Sequence, residues 1–134
     1  MSQIVRPATA FSLDGLRQKK PAQKLRRHLA FVGQLPSLVP GHEPVQVAHI
    51  RYADDDVGKR SAGMGMKPSD WWVVPLAADQ HRRQHEMNER AFWGEVGINP
   101  LLIAALLFVH GQTEDASAAL IVIRNARRIT EGWF

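Results

Sequence analysis

His81 and His85 stand one helical turn apart, and a strand-like VQVAHIR segment, Val45 to Arg51, comes before them and carries His49. Imidazoles at i and i+4 share one face of a helix and can hold one metal ion between them. A strand histidine facing that pair would sit beside the ion without ligating it. With an ordinary pKa of about 6.5, it is the side chain best suited to take a proton from water near neutral pH. The i, i+4 spacing also occurs in the zinc-protease motif, where a glutamate follows the first histidine as general base. Here Arg82 occupies that place, so peptidase chemistry is not expected.

Other charged groups are weighed against these three. Asp70, after Lys67, Pro68 and Ser69, stands at the start of a second strand and is a candidate functional residue, the plainer reading being a turn aspartate at a strand start. Asp54, Asp55 and Asp56 resemble a hard-metal cluster, but consecutive residues of one loop cannot all converge on an ion, and they read as a solvated charge run. Gly63-Met64-Gly65-Met66 lacks the strand–turn–helix setting of a nucleotide-binding loop. The chain has no cysteine, which excludes disulfides, thiolate metal ligation and a catalytic thiol.

The elements that must position these residues are legible in outline. Residues 1–20 mix proline, glycine and basic residues without apolar period and read as a mobile basic arm; residues 21–134 read as one domain. Pro21 is a good first helical residue, followed by Leu25, Leu29 and Val32 at helical spacing with Lys24, Arg26 and Arg27 outside, and Pro36 stops that helix. In the first strand Val45 and Val47 alternate with Gln46 and Ala48, which puts His49 on the valine face, looking inward. Tyr52 to Ser69 is a long loop, and Trp71 to Leu76 a buried second strand. Asp79 is the expected N-cap of a helix running to about Glu95, with His81, His85, Asn88 and Phe92 on one stripe. Asn99 and Pro100 begin a short apolar helix, and Thr113 to Asp115 begin a last one carrying Leu120, Ile123 and Ile129 inward. This order describes an α+β domain built around a β-hairpin and a metal-bearing helix.

Composition agrees with that picture. At 134 residues and 45% apolar the chain can bury one real core. Its net charge of +4 and sequence pI near 10 favour a polyanionic partner. The longest apolar run, Leu101 to Val109, is too short to span a bilayer, and no signal-peptide stretch opens the chain, so no membrane association and a cytoplasmic location are expected.

Taken in order, RRHLAFVGQLPSLVPG, AHIR, GMKPSD, VPLAADQHRRQH and FWGEVGINP resemble the HNH-type, ββα-metal nucleases of phage and prophage, and within them the group similar to the Ref (recombination enhancement function) nucleases. The resemblance runs from about His28 to Pro100 and implies a ββα-metal hairpin–helix core surrounded by additional helices. It also implies a metal-dependent DNA endonuclease with His49 as general base, His81 and His85 as metal ligands, and Asp70 near the central position of the signature. Similar nucleases carry four zinc ligands in a structural knuckle, and at those positions this chain has Ser37, Pro40, Ala77 and Gln80. No structural zinc is therefore expected, with apolar packing in its place. Ala48 stands where broader HNH enzymes carry a further ligand, so Asp70, a nearby carboxylate, water or phosphate would complete the shell of one divalent ion. Mg, Mn, Zn and Ni are not distinguished.

Arg51, Lys67, Arg82 and Arg83 surround the expected site and could hold phosphates, with Lys19, Lys20 and Lys24 of the arm and first helix adding contacts that ignore base sequence. Recombination proteins are candidate partners. The alternative reading is a catalytically inactive DNA-binding or recombination-accessory protein on the same scaffold; a host-interaction module has only the apolar Leu101 to Val109 segment behind it. Replacing Lys19, Lys20 and Lys24 together by alanine is expected to weaken DNA binding at low salt and to flatten the slope of log affinity against log salt by up to about three units. An unchanged salt slope would show that these lysines do not touch DNA.

Overall fold

The computed structural model describes residues 25–59 and 68–133. In chain order these hold α1 (Arg26–Gly33), β1 (Val45–His49), a single 3-10 turn (Asp55–Val57), β2 (Val73–Ala77), α2 (Ala78–Glu86), α3 (Glu89–Val96), α4 (Pro100–Gly111), α5 (Ala116–Arg124) and α6 (Ala126–Ile129). The architecture is α+β: one two-stranded antiparallel sheet with helices packed around it. The expected arm, residues 1–20, and residues 21–24 lie outside the described residues; α1 begins at Arg26 with Leu25 as its non-helical N-cap, not as a helical residue of a helix from Pro21. No single helix among the described residues is long and apolar enough to cross a membrane.

The hairpin is registered Val45 to Ala77, Val47 to Pro75 and His49 to Val73. Proline cannot donate to a ladder, but each strand of a two-stranded sheet is an edge, and the Pro75 carbonyl accepts instead from Leu38 N–H at 2.8 Å. β2 is buried throughout. In β1 the fully buried neighbours of His49 are Ala48 and Ile50, while Val45, Val47 and His49 are half-buried. His49 thus lies on the less buried face of the strand, at the rim of the core, with its imidazole mostly buried.

Against the sheet sits α4, whose Leu101, Ile103, Ala104 and Leu107 are completely buried with Val32, Val73, Leu76 and Phe92. Asn99 caps this helix through Oδ1, accepting from Leu101 N at 3.0 Å, and its amide donates to the Trp133 carbonyl at 2.7 Å, which ties down the end of the described chain.

Two expected helices are broken where an asparagine competes for backbone groups. The helix expected from Asp79 to about Glu95 is two: α2 ends at Glu86, Met87 is extended, and the Asn88 side chain accepts from Ala91 N–H at 3.0 Å to start α3. Asn88 and Phe92 consequently leave the histidine stripe, Phe92 for the core. Asp79 is not the N-cap either; Ala77 holds that position and Asp79 lies in the first turn. The last helix is likewise divided at Asn125, whose amide donates to the Ile121 carbonyl at 2.8 Å.

Ser37, Pro40, Ala77 and Gln80, the four positions at which the resemblance would place zinc ligands, are joined by hydrogen bonds, with Leu38, Val39 and Ala77 buried beside them. Ser37 Oγ accepts from Ala77 N–H at 2.8 Å and donates to the Val39 carbonyl, and Gln80 Nε2 donates to the Pro40 carbonyl at 3.2 Å. Beside them Asp79 accepts from His42 N–H at 3.1 Å, a bond that holds its carboxyl below the usual carboxylate range. Gly41 makes the approach possible, since a Cβ there would lie 2.4 Å from both Ala77 Cβ and Asp79 Oδ1. Ser37→Ala, which removes two of these bonds, is expected to cost about 1–3 kcal/mol by urea unfolding. Chelator is expected to leave the midpoint of the unmodified protein unchanged; unfolding by chelator, or no loss in Ser37→Ala, contradicts the staple.

His28 is buried in α1 against Phe31, Phe108 and Gly111, and neither ring nitrogen has a hydrogen-bond partner. Burial holds its pKa below the ordinary value, with Asp70 opposing weakly. The unfolded chain therefore takes up the proton first. Stability from neutral His28 is complete above about pH 6.5 and is lost as the pH falls from there. His28→Leu should be as stable as the parent at pH 7.5 and more stable at pH 5.5. Parallel pH profiles of the two proteins would exclude this role.

Candidate active site

His49 is the last residue of β1, and the turn that leads into β2 brings Asp70 back across it: Trp72 N–H donates to the Ser69 carbonyl at 3.1 Å and Ile50 N–H to the Trp72 carbonyl at 2.9 Å. His49 Nε2 donates to Asp70 Oδ1 at 2.8 Å, with both side chains mostly buried. Asp70 Oδ2 accepts from Leu25 N–H at 2.9 Å, at the entry to α1. A carboxylate held through both oxygens fixes the ring and its tautomer. With Nε2–H committed to Asp70, Nδ1 carries the lone pair.

Across from this dyad, α2 presents the two expected histidines. His81 Nδ1 donates to Gln46 Oε1 on β1 at 2.9 Å, and His85 Nε2 donates to His81 Nε2 at 3.0 Å. The Gln46 carbonyl thereby settles the His81 tautomer and turns its Nε2 toward His85. Burial, and then coulombic repulsion by His85, His49 and Arg51, lowers the His81 pKa below the ordinary histidine value, which favours the neutral form that can ligate. The pair fits one ion: two bonds of about 2.1 Å at about 90° separate their nitrogens by about 3.0 Å, once the shared proton has left. Among the described residues no group of three or more His, Asp or Glu is placed to hold a metal. Asp70, considered as a further ligand, is engaged by His49 and Leu25 instead.

The arginines separate into two kinds. Arg82 makes a two-pronged bridge to Glu43, at 2.7 and 2.9 Å, and this bond holds the Glu43 carboxyl low. Arg83 pairs with Glu95 and lies over the Phe92 ring at 5.3 Å. Arg51 differs: it is exposed, two residues beyond His49, and its charge acts on His81. Lys67, Lys19, Lys20 and Lys24 lie outside the described residues. Asp54 caps the 3-10 turn by accepting from Asp56 N–H at 3.0 Å, in keeping with a solvated run.

Gln46 escaped the sequence reading, because a polar residue alternating with valines is what any half-exposed strand shows. The Leu25 N–H is invisible to residue patterns altogether. No protein-family model, no curated protein and no solved structure matches this chain.

Proposed function

We propose that the protein is a metal-dependent DNA endonuclease of the HNH, ββα-metal type. The observation that carries this reading is the juxtaposition of a carboxylate-held His49, at 2.8 Å from Asp70, with two imidazoles whose Nε2 atoms are 3.0 Å apart and can share an ion.

His81 and His85 would hold one divalent ion, which when bound supplies Lewis-acid stabilisation of charge on the leaving oxygen. The protein's own groups do the rest. His49 Nδ1 takes a proton from the attacking water, and Asp70 stabilises the imidazolium that results and keeps the ring from turning. Arg51 neutralises a non-bridging phosphate oxygen as charge builds. Gln46, by accepting from His81 Nδ1, keeps the ligand ring oriented and raises its basicity. DNA as the substrate rests on the basic balance of the chain and on the family resemblance.

A second reading, a DNA-binding or recombination-accessory protein without catalysis, draws on the sparse ligand set and on Ala48, which cannot ligate. The roles separate experimentally. His49→Ala is expected to lower metal-dependent plasmid nicking by about 10²- to 10⁴-fold while metal affinity by calorimetry is kept. His85→Ala is expected to lose both. No cleavage by the parent protein with Mg, Mn, Zn or Ni supports the accessory reading, and a His49→Ala variant that cuts as well as its parent refutes the base.

A further inference from the structure

Among the described residues the segment that leaves β1 at Arg51 pairs only at Asp54, in an antiparallel bridge with Lys59, and before that bridge side chains take its main-chain groups in succession. Both Glu89 carboxylate oxygens accept from Arg51 N–H, each at 3.1 Å, and Lys59 Nζ donates to the Arg51 carbonyl at 3.2 Å. Two residues on, Arg90 donates to the Ala53 carbonyl at 2.7 Å while its guanidinium lies 4.5 Å from the centre of the Tyr52 ring. Glu89 is itself held by Gln84 Nε2 at 2.6 Å, and Gln84 is a buried residue of α2 immediately before His85.

Lys59 is only 1% exposed. Burying an ammonium is costly unless it is paired, and burial pushes this one down in pKa, with Glu89 opposing. Among the described residues its hydrogen-bond partner is the Arg51 carbonyl. The buried ammonium is therefore committed to holding the Arg51 peptide. Glu89 could have paired with the Arg51 guanidinium, as Glu43 and Glu95 pair with Arg82 and Arg83. It binds the peptide N–H instead, and among the described residues no carboxylate neutralises the Arg51 guanidinium.

We propose that Glu89 and Lys59 are positioning residues that grip the Arg51 peptide by its N–H and its carbonyl and so aim a free guanidinium at a phosphodiester beside His81 and His85. This rests on the nuclease reading for the identity of the reaction, but the clamp itself is a claim about phosphate binding. It makes Arg51, rather than Arg82 or Arg83, the arginine of the site, and it ties that arginine through Glu89 and Gln84 to the helix that carries both histidines.

The test is a double-mutant cycle on the full chain, read in Mn-dependent plasmid nicking at saturating DNA. Arg51→Ala should lower the rate by about 10²-fold, and Glu89→Ala by a similar factor. Glu89→Gln, which keeps an acceptor for Arg51 N–H, should recover most of the loss. The variant carrying both Arg51→Ala and Glu89→Ala should be no slower than Arg51→Ala alone, within about threefold, because Glu89 acts through Arg51. Losses that multiply, or an Arg51→Ala variant as fast as its parent, overturn the proposal.

The same cycle is run on affinity for a short DNA duplex without metal. There Arg51→Ala and Glu89→Ala should each flatten the salt slope by about one unit and the double variant by no more. If the parent fails to cut with every ion tried while this second cycle stays non-additive, the clamp stands and the nuclease reading falls; if it is additive, the clamp falls. Should Glu89→Ala fail to fold, Glu89→Gln and Lys59→Met replace it. Lys59→Met should then lose affinity in the parent background and none in the Arg51→Ala background, and equal losses in both contradict the clamp.

Discussion

One mostly buried carboxylate ties three parts of the chain together. Asp70 takes the His49 ring on one oxygen and the Leu25 N–H, at the entry to α1, on the other. The first bond closes the end of the β-hairpin, and the second anchors the helix that leads in from the basic N-terminal residues. Remove the charge and the imidazole is free to turn, while the Leu25 N–H loses its acceptor. In a mostly buried place each unpaired group costs about 1–3 kcal/mol. A catalytic reading of His49 therefore depends on Asp70 before it depends on any metal.

The other half of the site is built from the opposite direction. α2 follows β2 without a loop, so the hairpin register sets where His81 and His85 stand relative to β1, and Gln46 reaches across to hold the first of them. The same junction is fastened from outside by Ser37, Gln80 and Asp79, through hydrogen bonds to and from the 37–42 segment. These few hydrogen bonds are worth little singly, and the packing of α4 against the sheet adds to what holds the hairpin in place.

What was legible in the sequence was whatever periodicity and residue type encode. The i, i+4 histidines, the two strands and the Asn99–Pro100 start of α4 follow from spacing and caps, and the structure has them within a few residues of the expected bounds. The breaks at Asn88 and Asn125 were hidden because an apolar period can run on across a break, and only the side-chain hydrogen bond decides that a new helix begins. Pairings between distant charges were hidden as well. Arg82 and Arg83 lie between His81 and His85 in sequence and look available, but Glu43 and Glu95 reach them from other elements. Lys59 and Glu89, by contrast, carry no signal in the sequence, and only the chain's path past Arg51 gives them a common partner.

The central claim is that His81 and His85 share an ion beside an imidazole that is not a ligand. Anomalous diffraction from crystals soaked in manganese measures this directly. The account predicts one peak bonded at about 2.0–2.3 Å to both Nε2 atoms, with His49 still on Asp70. A peak that takes in His49 as a ligand, a peak on Asp54 to Asp56 instead, or no peak on the histidine pair at saturating manganese would contradict it.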